Sequence, residues 1–208
     1  MPYKGLDLSG KSAVVIGGTT GIGHAISLGL AEAGADVAPT SRRRDLVDQT
    51  AEEVRTFGRR AIACPSDVLD RTSLDQVLAE SIEAFGKVDI MVNCAGRTKR
   101  APTLDFSEED WDAILETNLT GTLRAAQVFG RHMLQRGYGR INSHRLDCEL
   151  RSFVRSRGLC GQQSCGRFVD QVARARVGPA RRLRERYRAR CLSDRPQSWL
   201  AGRHAARA

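Results

Sequence analysis

Apolar positions in the first 140 residues fall into short continuous runs, separated by stretches in which they recur every three to four residues. Ser12 to Ile16 is such a run and predicts a buried strand. A glycine-rich turn, Gly17 to Gly23, follows it, and Ile22, Ile26, Leu28, Leu30 and Ala31 then share a helical face up to about Gly34. The same rhythm predicts strands at Ala35 to Pro39, Ala61 to Pro65 and Val88 to Asn93, with helices from Arg44 to Phe57 and from Leu74 to Phe85 between them. Ser107 and Asp110 have the spacing of a capping box, which starts a helix expected to run past Asn118 to Arg136. A last strand is read at Arg140 to Asn142. Alternating strands and helices predict an α/β fold, a parallel sheet covered by helices on both faces.

Beyond residue 141 neither a period of two nor one of 3.6 persists; Val172 to Arg190 holds eight Arg among scattered apolar residues. The charge changes at the same place. Residues 1–140 carry 17 basic and 19 acidic side chains, whereas residues 141–208 carry 16 basic and five acidic ones, and every one of those 16 is Arg. The chain therefore divides into a unit over 1–140 and an Arg-rich tail over 141–208, which is expected to be aberrant or disordered. At 208 residues the length suits one hydrophobic core. No apolar run is long enough to cross a bilayer and none has the form of a leader peptide, so a cytoplasmic protein with no membrane contact is expected. In that setting the six cysteines read as free thiols, and no zinc-type pairing or other metal site is predicted.

Gly17-Gly18-Thr19-Thr20-Gly21-Ile22-Gly23 stands between a strand and a helix, where glycines allow a tight turn and close approach of a pyrophosphate to the helix N-terminus. A tight turn with no ligand is the alternative. The glycine spacing resembles the TGxxxGxG turn of the short-chain dehydrogenase/reductase family, with Ile16 in the place of the leading Thr. Asp67-Val68 is similar to the pair by which that family holds an adenine ring. Asn93-Cys94-Ala95-Gly96 resembles the NNAG segment that ends its fourth strand, and Asn118 the helix Asn of its catalytic tetrad. The resemblance implies a Rossmann-type, doubly wound sheet and a dinucleotide held by Gly17, Gly21, Ile22, Gly23, Arg42, Asp67, Val68, Asn93, Ala95 and Gly96. It also implies a small-molecule alcohol or carbonyl substrate and a homo-oligomeric family habit, with assembly of this chain left open. Thr40-Ser41-Arg42-Arg43-Arg44 has no carboxylate to accept from ribose hydroxyls and an Arg able to pair with a 2′-phosphate, which favours NADP over NAD. A solvated basic turn is the other reading. Arg97-Thr98-Lys99-Arg100 faces either an anionic substrate or solvent. The middle region looks most like the gluconate 5-dehydrogenase and 3-oxoacyl-carrier-protein reductase branch.

The family requires a Tyr with a Lys four residues later, and a Ser about 13 residues upstream. The tail has no Lys, and its lone Tyr187 is followed by Cys191 at the Lys position; Ser143 reads as an ordinary strand-end Ser. Catalysis in the family's manner is not expected of this sequence. Reading the tail's codons from the second base, Leu159 through Ser164 permit Tyr-Ala-Ala-Ser-Lys, Leu146 into Asp147 permits Ser, and Arg184 to Cys191 permit Val-Asn-Ala-Ile-Ala-Pro-Gly. All three resemble family landmarks at the family's spacing, which points to a frameshift near residues 141 to 145. Two competing expectations remain: a non-catalytic dinucleotide-binding protein whose basic tail contacts nucleic acid or another polyanion, an unlikely partner for want of any such module, and a chain that aggregates because its sheet lacks its last strands.

Overall fold

A computed structural model describes residues 7–99 and 101–143; the expectations for residues 144–208, including every landmark of the shifted reading frame, lie outside them. The elements follow in the order β1 (Ser12–Ile16), α1 (Gly21–Glu32), β2 (Asp36–Thr40), α2 (Arg44–Thr56), α3 (Arg71–Phe85), β3 (Ile90–Asn93), α4 (Glu108–Leu115), α5 (Gly121–Gln135) and β4 (Arg140–Ser143). The four strands are all parallel in the order β2-β1-β3-β4. The chain leaves β1 to one side and returns on the other side as β3, so the sheet has a switch point between the carboxyl ends of these two strands. β4 pairs with β3 as far as Ser143, which carries the folded unit past residue 140.

Every residue of β1 is buried because both faces of the strand are covered. Val14 and Ile16 pack with Leu74 and Val77 of α3 and with Ala125, Val128 and Phe129 of α5. Val15, pointing the other way, packs with Ala31 of α1 and Val54 of α2. These two layers give the doubly wound arrangement expected from the pattern.

Two expectations change. Ala61 to Pro65 is not a full strand: Ala61 makes one parallel bridge to Val37, and the segment is held mostly by other bonds. Val37 N donates to Arg60 O (3.1 Å), Ser66 N to Ser41 O (3.0 Å), and Thr40 Oγ1 to Cys64 O (2.6 Å). Arg60 also grips Asp36 through Nε and Nη2 (3.0 and 2.7 Å), fixing the start of the segment. Its apolar residues were legible; the side-chain bonds that replace ladder bonds were not. The helix after Ser107 runs on past Asn118 as expected, but it widens into a π-helical turn over Glu116–Thr120 between α4 and α5. Ser107 caps α4 as expected, accepting from Asp110 N (3.3 Å) and donating to the Asp110 carboxylate (2.6 Å).

At the opposite end of the sheet, the buried carboxylate of Asp89 is met by Ser12 N (3.3 Å), Lys87 Nζ (3.2 Å) and Arg136 Nη1 (3.2 Å). Beside it, His132 Nε2 accepts from Val88 N (3.3 Å), and burial, with Arg136 nearby, pushes the imidazole pKa down. Folding thus favours the neutral ring, and the unfolded chain takes up this proton first. The stability from His132 is present above the ordinary imidazole value of ~6.5 and is lost as pH falls from there through the lowered folded value. His132→Asn should flatten the pH dependence of the urea midpoint between about pH 7 and pH 5, and an unaltered slope would show that the ring does not titrate with unfolding. Phe129 is fully buried between the sheet and α3. Phe129→Ala should lower the unfolding free energy by about 3–5 kcal/mol, measured by denaturant titration.

Candidate functional site

The turn after β1 hangs between the ends of both neighbouring strands. Gly17 N and Gly18 N donate to Thr40 O at the end of β2 (2.8 and 3.1 Å), and Cys94 N after β3 donates to Ile16 O (2.7 Å). Gly17 lies in the left-handed region at φ 74°, and a Cβ there would stand 2.7 Å from Ala95 N. A Cβ on Gly23, in the first turn of α1, would stand 2.0 Å from Gly17 O. Backbone therefore packs on backbone at the switch point, which is the physical reason for glycine at both positions. Ser27 Oγ closes the turn by donating to Gly18 O (2.9 Å) and Gly23 O (3.1 Å). Thr20 precedes α1 without a side-chain cap bond, and the helix has no acidic residue in its first turn. The opening N–H groups of a helix have no intrahelical acceptors, so this end favours an anion.

A cleft of 440 Å³ opens in front of that helix end. Of the residues singled out in the sequence, Gly17, Ile22, Gly23, Arg42, Asp67, Val68, Ala95 and Gly96 line it. Arg42 and Arg43 stand exposed on its β2 side, with no carboxylate between Thr40 and Arg43. Asp67 Oδ1 accepts from Leu69 N (2.9 Å), while Ser73 Oγ accepts from Asp67 N (3.0 Å) and donates within the same turn. That turn leads into α3, where Asp70 caps Thr72 N (2.9 Å). Thr117 of the segment between α4 and α5 also lines the cleft, and the start of α5 packs behind Val68, where a Cβ on Gly121 would stand 2.8 Å from Val68 Cγ2.

Gly21, Asn93 and Asn118 do not line the cleft. Gly21 is exposed at the start of α1 with φ 54°. Asn93 is buried beneath the cleft; its Oδ1 accepts from Ala95 N (3.1 Å) and its Nδ2 donates to Thr122 Oγ1 (2.8 Å). Asn118 sits on the π-helical turn and clasps the loop after β3, accepting from Arg97 N (2.7 Å) and donating to Arg97 O (2.9 Å). Arg97 and Thr98 reach the cleft, whereas Lys99 pairs with Asp110. That lysine and the Ser107 hydroxyl hold the Asp110 carboxyl below its usual range. Ser143 ends β4, and its buried hydroxyl has no hydrogen-bond partner among the described residues.

Hydroxyls that the sequence reading passed over complete the walls. Thr19 Oγ1 donates to Ser41 Oγ (2.9 Å), Thr40 bonds Ser66 (2.8 Å), and Thr19, Ser41, Ser66 and Thr117 all line the cleft. Their common signal is position, a Ser or Thr within three residues of the carboxyl end of a strand-like apolar run, or on the π-helical turn. Neither described cysteine is an activated nucleophile: burial raises the Cys94 thiol, and burial together with Glu80 pushes Cys64 up to about 12. Among the described residues there is no cluster of metal-binding side chains and no helix long and apolar enough to cross a membrane.

Residues 11–143 match the short chain dehydrogenase family. The short-chain reductase protein NovJ of Streptomyces niveus is 35% identical over 161 residues, which are 77% of this chain and 59% of that protein. Gluconate 5-dehydrogenase of Gluconobacter oxydans is 35% identical over 134 residues, 64% of this chain and 52% of that protein, in keeping with the branch expected from the middle region. Among solved structures, a short-chain type dehydrogenase/reductase from Mycobacterium marinum is similar with a TM-score of 0.63 at 36% identity, covering 66% of this chain and 55% of that one. The chain thus spans little more than half the length of the curated relatives it matches. Glycine turn, switch-point cleft and matched sequence all lie in one stretch, and by that stretch the chain belongs to the short chain dehydrogenase family.

Proposed function

We propose that this chain is the dinucleotide-binding part of an NADP-dependent oxidoreductase that interconverts a secondary alcohol and a carbonyl, and that it lacks the residues to complete the reaction. The observation that carries the reading is the uncapped, acid-free N-terminus of α1 facing the cleft, with Gly17 and Gly23 leaving room for nothing larger than backbone behind it. Ile22 and Gly23 would hold the pyrophosphate, Asp67 and Val68 the adenine, and Arg42 the 2′-phosphate, with Arg43 beside it. Ala95 and Gly96 would floor the nicotinamide end, with Asn93 and Asn118 keeping that floor in place. The nicotinamide supplies or accepts the hydride when bound; the protein's part is orientation and proton transfer.

Proton transfer is the missing part. The Tyr and Lys of the family pattern are absent from the tail, and Asn118 is the tetrad member that the resemblance places. The family match ends at residue 143, where the composition changes to Arg without Lys, and this supports a shifted reading frame as the cause. A soluble cytoplasmic protein completes the proposal.

Fluorescence titration of the full chain should show NADPH bound more tightly than NADH. Arg42→Glu should weaken NADPH by at least about tenfold and leave NADH within about twofold, because a carboxylate repels the 2′-phosphate and accepts from a ribose hydroxyl. Equal loss of both nucleotides, or of neither, would remove Arg42 from the cofactor reading. The gene, read one base later beyond codon 145, should continue openly through Tyr-Ala-Ala-Ser-Lys and Val-Asn-Ala-Ile-Ala-Pro-Gly. The frame-restored chain should then oxidise secondary alcohols with NADP, and the present chain should not. A shifted frame closed by stop codons would instead bring forward the basic tail, tested by salt-sensitive binding to mixed DNA that is lost on truncation after Ser143.

A further inference from the structure

The loop that follows β3 forms one wall of the cleft, and one of its ties to the protein runs through a group that does not line the cleft. Thr122, in the first turn of α5, is buried, and its hydroxyl uses its donor and an acceptor position at once. It accepts from Asn93 Nδ2 (2.8 Å) and donates to the carbonyl of Asn118 (2.7 Å). Asn93 passes the connection to the loop through Ala95 N (3.1 Å), and Asn118 passes it through both backbone groups of Arg97 (2.7 and 2.9 Å). The Asn93 route from the helix to the loop therefore runs through this hydroxyl, which also bonds the main chain of the residue that makes the second, direct route.

The π-helical turn explains why a side chain is needed there. Within it the backbone bonds step from i to i+5, with Gly121 N donating to Glu116 O, and the Asn118 carbonyl takes the Thr122 hydroxyl. Such a wide turn persists only where its surroundings hold it, because the α-helical alternative bonds more tightly. Here the turn places Asn118 against Arg97 and brings Gly121 against Val68, so its shape governs two walls of the cleft.

We infer that Thr122 is a positioning residue for the dinucleotide cleft, holding the wide turn and the loop after β3 in register through its hydroxyl. The inference rests on the dinucleotide reading for its effect on binding, but its effect on the loop is independent of that reading. Replacing the hydroxyl with a methyl keeps the side-chain shape, strands the buried Asn93 amide and frees the Asn118 carbonyl.

The test compares Thr122→Val, Thr122→Ala and Thr122→Ser in the full chain, by NADPH titration and by residue-resolved amide exchange. Thr122→Val should weaken NADPH about tenfold and speed exchange at Ala95 and Arg97, while the β1 and β2 amides stay protected. Thr122→Ser, which keeps the hydroxyl, should leave both measurements within about twofold of the original chain. If Thr122→Val does not fold, judged by loss of β1 protection, Thr122→Ala carries the same comparison with less crowding. Unchanged exchange at Ala95 and Arg97 in a folded hydroxyl-free variant overturns the inference, as does Thr122→Ser behaving like Thr122→Val. If the unsubstituted chain takes up neither NADPH nor NADH, the dinucleotide reading fails, and the exchange measurements alone then decide the role of Thr122 in the loop.

Discussion

The contact on which the site depends is backbone against backbone at the sheet's switch point. Gly17 lies so close to the loop after β3 that a single methyl group on it would reach within 2.7 Å of Ala95 N, and Gly23 lies closer still to the Gly17 carbonyl. This proximity lets α1 start directly over the end of β1, aiming its unpaired N–H groups at the space between β1 and β3. A bulkier turn would push the helix away and close that space. The bonds from Gly17 and Gly18 to Thr40 and from Cys94 to Ile16 hold the turn from both sides, so it is as rigid as the sheet itself.

That rigidity in turn requires the sheet to be sealed on both faces. Val14 and Ile16 lean on α3 and α5, Val15 on α1 and α2, and removal of either layer would expose the strand that carries the turn. The far end of the sheet is secured differently, by the buried Asp89 carboxylate among Ser12, Lys87 and Arg136. Apolar packing thus positions the middle of the strands, and polar clasps set their two ends.

The side of the cleft formed by the loop after β3 and the π-helical turn is held by directional bonds. Asn118, Thr122 and Asn93 form a connected set of amides and one hydroxyl, each spending its bonding groups on a neighbour in the set or on the loop after β3. Networks of this kind fix geometry more than they add stability, since a buried polar group gains little when paired and costs much when left alone.

The sequence by itself determined the strand and helix order, the glycine turn and the covered faces, because these follow from local periodicity and from the few residues that can make a tight turn. Eight of the ten residues read as dinucleotide-binding stand around the cleft for the same reason: they lie on the segments that leave β1, β2, β3 and Ala61 to Pro65 at one end of the sheet, which the alternation of β and α already locates. Periodicity could not reveal that Ala61 to Pro65 would be held by Thr40, Ser41 and Arg60 in place of a full ladder, since those bonds depend on what lies beside the segment. Nor could it reveal the π-helical turn, since Glu116 to Thr120 has an ordinary helical composition and widens where Asn118 and Thr122 find partners 21 and 29 residues away in the chain. Tertiary structure alone decided those features, because a hydrogen bond between distant residues leaves no periodic trace in either of them.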